Sequence, residues 1–196
     1  YTQNTELDSQ RSKINLKAMA LMKYDALAIG DDEFNFGREF FQNNIDTAGL
    51  ALLSCNMKTE NVLPYIIKDI AGIKIGIIGV TTLAALPKAG GIELTEPKAQ
   101  VAGAVSYLRK TGSDIIVLLS HLGESEDLNL INDIKGIDIL IVGHYRTKEQ
   151  PATKIANTLV LRPSWQGRRL SKLSLVIEDK KIKEYKVEEL RLSDKV

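Results

Sequence analysis

Two apolar runs, Ile115–Leu119 and Ile137–Val142, confine what this chain can become. Asp114 precedes the first run and Asp138 lies at the start of the second; each closes on a small residue, Ser120 or Gly143. A histidine follows immediately in both cases, and His121 and His144 are the only 2 histidines in the sequence. Continuous runs of leucine and β-branched residues between turn signals read as strands buried on both faces of a parallel sheet. Ligands of open α/β sheets bind beyond the carboxyl ends of such strands. Both imidazoles are expected at such ends.

A chain of 196 residues with 44% hydrophobic residues can bury one sizeable core, so a single domain over residues 1–196 is expected. Its net charge of +1 gives neither a nucleic-acid footprint nor a basic membrane-facing patch. No apolar run approaches the roughly 18 residues that membrane insertion requires. Cys55 is the one cysteine, which excludes an internal disulfide and a Cys-x-x-Cys zinc site. The first residue is Tyr1 rather than methionine, and the chain reads as a processed or partial piece of something longer.

Along the chain, Asp8 or Ser9 is placed to cap a helix reaching about Tyr24, with Ile14, Ala18, Leu21 and Met22 on one apolar face. Strands are predicted over Asp25–Ile29 and Leu50–Ser54, with a helix over about Arg38–Ala48 between them. Tyr65–Asp69 and Lys74–Val80 read as a β-hairpin around Ala71-Gly72. Pro97 suits the first turn of a helix running to Lys110. After the two histidine units, Thr158–Arg162, Lys172–Ile177 and Ile182–Glu188 read as antiparallel strands. The order predicts an α/β fold of two packed mixed β-sheets flanked by helices.

Polar groups end four of these strands: Asp31 to Glu33, Cys55-Asn56, His121, and His144 to Arg146. Carboxylate, amide and imidazole groups suit zinc, manganese or iron. Here a resemblance enters. Tyr24-Asp25-Ala26 with Gly30-Asp31-Asp32-Glu33-Phe34-Asn35-Phe36-Gly37 resembles the Y-D-A-x-x-x-G-N-H-E-F-D-F-G signature of the 5′-nucleotidase branch of the calcineurin-like metallophosphoesterases. Leu52-Leu53-Ser54-Cys55-Asn56 is similar to its L-x-S-A-N strand, and Ile75–Thr82 to its V-G-I-I-G-L-T-T hairpin. Leu119-Ser120-His121-Leu122-Gly123 matches L-S-H-L-G, Gly143-His144-Tyr145-Arg146-Thr147 resembles G-H-S-H-T, and Gln166–Leu173 echoes a closing G-R-x-L-G-R-L strand. The resemblance runs from about residue 13 to about residue 178, in order, and implies the family's αββα sandwich.

The resemblance also implies a dimetal site that activates water and clamps a phosphate, and here the chain departs from the pattern. The Asp-x-His and Gly-Asp motifs that precede this region in the family have no counterpart, so the N-terminal strands are expected to be missing. The second histidine of G-H-x-H is Arg146. The metal-binding asparagine is Asp31, while His121 and His144 keep their places, leaving Asp31, His121 and His144 as ligands for one divalent metal (zinc, manganese or iron) or for none. The positions of the catalytic His-Asp dyad hold Asp32 and Asn35, a degenerate pair, since a carboxylate repels the phosphate oxygens that an imidazolium attracts. Arg146 is expected to stand in for the first metal, its guanidinium forking onto Asp31 or Asp32. No nucleoside-gripping C-terminal domain like the family's is expected within these 196 residues.

Two functions follow. One is a 5′-nucleotidase-like metallophosphoesterase with an incomplete site, impaired or inactive in phosphate-ester hydrolysis. The other is a non-catalytic pseudoenzyme scaffold that binds a partner within a larger complex. In either, a protein partner or additional chain segment, Tyr1–Leu7 among the candidates, is expected to cover the sheet edge left by the missing strands. The family resemblance implies export, to periplasm or exterior. Arg162, Arg168 and Arg169 read as outward-facing strand residues, Phe34, Phe36, Phe40 and Phe41 as packing around the acidic turn, and Cys55 as buried and inert.

Overall fold

The computed structural model describes residues 6–45, 49–144, 152–163 and 168–192. Helix α1 (Glu6–Leu21) begins two residues before the predicted cap. Its predicted apolar face is not buried: Ile14, Leu21 and Met22 are exposed, and Asp8 is the buried residue of the helix. Strand β1 (Leu27–Ala28) leads through Gly30 and Asp31 into a 3-10 turn, Asp32–Phe34, and then into α2 (Gly37–Ile45). β2 (Leu52–Leu53), β3 (Met57–Lys58) and β4 (Val62–Leu63) follow. β1, β2 and β4 form a three-stranded parallel sheet in the order β1-β2-β4. The ladders pair two residues each; Ser54 N–H still bonds the Leu63 carbonyl of β4, and the chain leaves at Cys55, whose N–H turns to the Gly79 carbonyl.

The hairpin forms as predicted, with β5 (Tyr65–Ile70) antiparallel to β6 (Ile73–Thr81). After β7 (Glu93–Leu94), which pairs with β3, comes α3 (Pro97–Lys110). Glu96 caps α3 by accepting the Ala99 N–H at 2.9 Å, and Pro97 opens it, where no donor is lost. Val101, Ala104, Val105 and Leu108 are buried, the i, i+3, i+4, i+7 stripe of a helix laid on a sheet. The histidine units become β8 (Ile115–His121), α4 (Glu124–Asp133) and β9 (Ile139–Val142). β10 (Ala152–Ile155), which the sequence did not reveal, pairs antiparallel with β11 (Thr158–Leu161). β12 (Arg169–Glu178) and β13 (Lys181–Arg191) close the chain as a hairpin, with Asp179 and Lys180 both at positive φ (50° and 62°) in its turn.

The main sheet runs β10-β11-β9-β8-β6-β5, with the four central strands parallel. Ile78, Val80, Ile116, Leu118, Leu140 and Val142 pack one face under α3 and α4. On the other face Ile115, Ile139 and Leu159 meet Leu173, Leu175 and Ile177 of the hairpin. The small sheet lies against the upper half of β6, where a methyl group on Gly79 would overlap the Leu53 carbonyl. Among the described residues the fold is thus mixed α/β, with several sheets flanked by four helices. Among the described residues β1 has a strand neighbour on one side only. Of the segment expected to cover that edge, residues 1–5 lie outside the described residues.

Candidate metal centre

The upper ends of β1, β6, β8 and β9 come together, and each is fixed differently. Thr81, buried at the end of β6, donates its hydroxyl to the Ile29 carbonyl at 2.8 Å and lies 2.8 Å from the Ser54 hydroxyl. Asn56 completes this clasp. Its amide donates to the carbonyls of Thr81 (2.9 Å) and Thr95 (3.1 Å), and its oxygen accepts from Thr81 N–H (3.0 Å) and the Ser54 hydroxyl (3.1 Å). The Cys55-Asn56 pair therefore builds the scaffold and does not join the ligands. Cys55, expected to be buried, is partly buried, and desolvation pushes its thiol up to about 12.

Asp31, His121 and His144 do converge. His121 Nε2 lies 3.0 Å from Asp31 Oδ1 and 2.9 Å from His144 Nδ1, and His144 Nδ1 lies 3.5 Å from Asp31 Oδ1. The rings meet edge to face, with centroids 4.7 Å apart at 86°. Burial raises the Asp31 pKa, but the His121 hydrogen bond, its own backbone and the charges of both imidazoles outweigh it, so the carboxyl is held below its ordinary value. His121 is gripped by backbone. A methyl group on Gly30 would lie 2.6–2.9 Å from three atoms of its ring, and one on Gly143 would lie 3.2 Å from Nδ1.

A proton cannot satisfy this group. One N–H on His121 Nε2 serves either the carboxylate or the second imidazole, and the other contact is then left without one. A divalent ion does better, since ligands held about 2.0–2.2 Å from a metal lie roughly 2.9–3.5 Å from one another. The three separations fall in that range, so the donor set fits a metal on chemistry and geometry alike.

The acidic turn carries more than a ligand. Asp32 accepts the Asn35 side-chain N–H at 2.9 Å. Glu33 accepts the Gly30 N–H at 2.8 Å; desolvation of its carboxyl is the larger influence and pushes its pKa up against that bond. Phe34 is buried beside Phe41, and Phe36 contacts Phe40, the packing role expected of them. Arg146 lies outside the described residues. Among the described residues the cation at this turn is Lys88, a residue with no sequence signal, its Nζ 3.8 Å from Asp31 Oδ2 and 3.7 Å from Asp32 Oδ1.

Two supports beneath the site also escaped sequence reasoning. Asp127 of α4 has no exposed surface and accepts the hydroxyl of Ser120, the residue before His121. Its Oδ2 is buried with no hydrogen-bond partner, and desolvation pushes the carboxyl up to about 7. Arg162, expected to face outward, is buried instead: its Nε and Nη2 donate to Glu124 Oε1 at 3.2 and 2.9 Å and its Nη1 to Thr153 Oγ1 at 2.8 Å. Arg169 does face outward, pairing with Glu189 at 2.6 Å.

No family model matches the sequence. Among curated proteins, the snake venom 5′-nucleotidase of Crotalus adamanteus is 29% identical over 158 residues, spanning 72% of this chain but 27% of that protein. The 5′-nucleotidase precursor of Thermus thermophilus superposes with a TM-score of 0.83 at 26% identity, over 93% of this chain and 41% of that one. The calcineurin-like phosphoesterase YfkN of Bacillus subtilis superposes with a TM-score of 0.73 at 22% identity, over 90% of this chain and 66% of that one. With the carboxylate and both imidazoles gathered at the strand ends, the chain is a distant homologue of the 5′-nucleotidases and carries the fold of the calcineurin-like phosphoesterases.

Proposed function

We propose that this domain is a 5′-nucleotidase-like phosphoesterase whose single ion site, Asp31, His121 and His144, supports at most impaired hydrolysis of phosphate esters. The observation that carries the site is the trio of donor atoms 2.9–3.5 Å apart, which one proton cannot serve. A divalent ion bound there would polarise a phosphoryl oxygen and lower the pKa of a water. The chain's own residues do the rest. Asp31 supplies the anionic ligand, His121 and His144 the neutral ones, and Gly30 and Gly143 keep the His121 ring in place.

Impairment rests on Asp32. In this reading Asp32 and Asn35 occupy the positions of a catalytic dyad, and their hydrogen bond holds a carboxylate where positive charge would stabilise the transition state. Arg146 remains the proposed surrogate for a first metal. Metal analysis of the purified chain, with turnover of AMP and of an aryl phosphate, tests the reading: close to one zinc, manganese or iron per chain is expected, with slow turnover that His121→Ala abolishes. A chain that takes up no metal would sink it.

A second reading, a scaffold that docks a protein partner or further chain segment, is favoured by two features. β1 offers one unpaired edge among the described residues, and beside it a cavity of about 230 Å³ is lined by Leu16, Met19, Leu27, Ile29 and Phe36.

A further inference from the structure

Lys88 is delivered to the acidic turn by a constrained loop. Its N–H bonds the Ala85 carbonyl at 3.0 Å, Ala89 N–H bonds Leu86 at 3.2 Å, and Ile92 N–H bonds Ala89 at 3.1 Å, so successive turns pin the backbone on both sides. Ala85, Ala89 and Ile92 are buried in the core beneath Phe34 and Phe41. Gly90 takes φ +58° and packs so closely on Arg38 that a methyl group there would lie 2.9 Å from its Cβ. Nζ stands 3.8 and 3.7 Å from the Asp31 and Asp32 carboxylates, beyond hydrogen-bond range, on a side chain 42% exposed.

The two oxygens of Asp31 divide the work: Oδ1 faces the imidazoles and Oδ2 faces Lys88. A cation at Oδ2 draws electron density away from the ligand oxygen and repels any second cation at Oδ1. It also offsets part of the repulsion between two adjacent carboxylates. We propose that Lys88 is a tethered counter-ion of the acidic turn, competing with a divalent ion for Asp31 and so setting the affinity of the site. The inference rests on the proposed ion site, and it assigns the site a built-in competitor.

The test measures Mn²⁺ affinity by titration calorimetry on the whole chain, for wild type, Lys88→Met and Lys88→Arg, at low and high salt. A unit charge a few ångströms from a partly exposed ligand pair should weaken ion binding about fivefold at low ionic strength, less as salt screens it. Lys88→Met should therefore bind Mn²⁺ about fivefold tighter at low salt, with the gain shrinking at high salt. Lys88→Arg, which keeps the charge, should stay near wild type. Equal or weaker binding by Lys88→Met overturns the inference, as does Lys88→Arg binding as tightly as Lys88→Met. Lys88→Gln, polar and uncharged, should repeat the methionine result if charge is the cause. Were no variant to bind Mn²⁺, the ion site itself would fall, an outcome distinct from binding that ignores residue 88.

Discussion

Replacing Asp127 with asparagine should change how stability depends on pH, by an amount that follows from the structure. The carboxyl has no exposed surface, one oxygen receives the Ser120 hydroxyl, and the other has no partner. Desolvation, reinforced by the charges of Glu126 and Glu124, raises its pKa from an ordinary 3.8 to about 7. The native state therefore holds a proton that the unfolded chain releases, and stability falls as pH rises between those values. The gap is worth about 4 kcal/mol in all, of which about 2.5 kcal/mol is lost between pH 5 and pH 8. An asparagine keeps the shape and an acceptor for Ser120 but cannot ionise. Its amide needs an acceptor where Oδ2 has no partner, so the variant should be about 1 kcal/mol less stable at pH 5. By pH 8 the order should reverse, with the variant ahead by about 1–2 kcal/mol. Urea unfolding of both proteins across that range measures the crossover. A stability difference constant to within about 0.5 kcal/mol from pH 5 to pH 8 would refute the argument.

Gly30→Ala should displace the His121 ring, weakening Mn²⁺ binding roughly tenfold or more and costing about 1–3 kcal/mol of stability; calorimetry and urea unfolding read the two effects. Arg162→Met removes the hydrogen bonds that the buried guanidinium donates to Glu124 and Thr153 and should cost about 2–4 kcal/mol, measured by thermal or urea unfolding. Asn56→Ala removes four hydrogen bonds from the clasp beneath the site and should cost about 2–4 kcal/mol by the same measurement. Installing a histidine and its orienting carboxylate together, Asp32→His with Asn35→Asp, should raise aryl phosphate turnover roughly tenfold or more over wild type; unchanged turnover would count against the assigned role of Asp32.

What the sequence disclosed, it disclosed through burial. Ile115–Leu119 and Ile137–Val142 read as strands covered on both faces, which placed their C-terminal histidines at strand ends. Asp31 joined them because its strand lies in the layer packed on β6. Other features depend on contacts that no local pattern carries. Lys88 reaches the acidic turn from a loop distant in sequence, and nothing in Pro87-Lys88-Ala89 marks it. Arg162 was expected outside because of its charge, yet it follows a strand whose residues are all buried, and its charge is met by Glu124. Ile14, Leu21 and Met22 follow helical periodicity, but periodicity says nothing about whether the described fold supplies a surface for that face. The strands at Asp25–Ile29 and Leu50–Ser54 are shorter than expected, two paired residues each; past Ser54, which still bonds Leu63 of β4, Cys55 turns its N–H to Gly79 of β6.

The absence of side chains at Gly30 and Gly143 has a consequence for how such a site changes over time. His121 is wedged between two stretches of bare main chain, which limit where the ring can sit whichever acidic or amide group faces it. Residues of the neighbouring turn can be exchanged one at a time without dislodging the imidazole. A pocket of this kind can exchange the side chains of its acidic turn while its main-chain frame stays as it is.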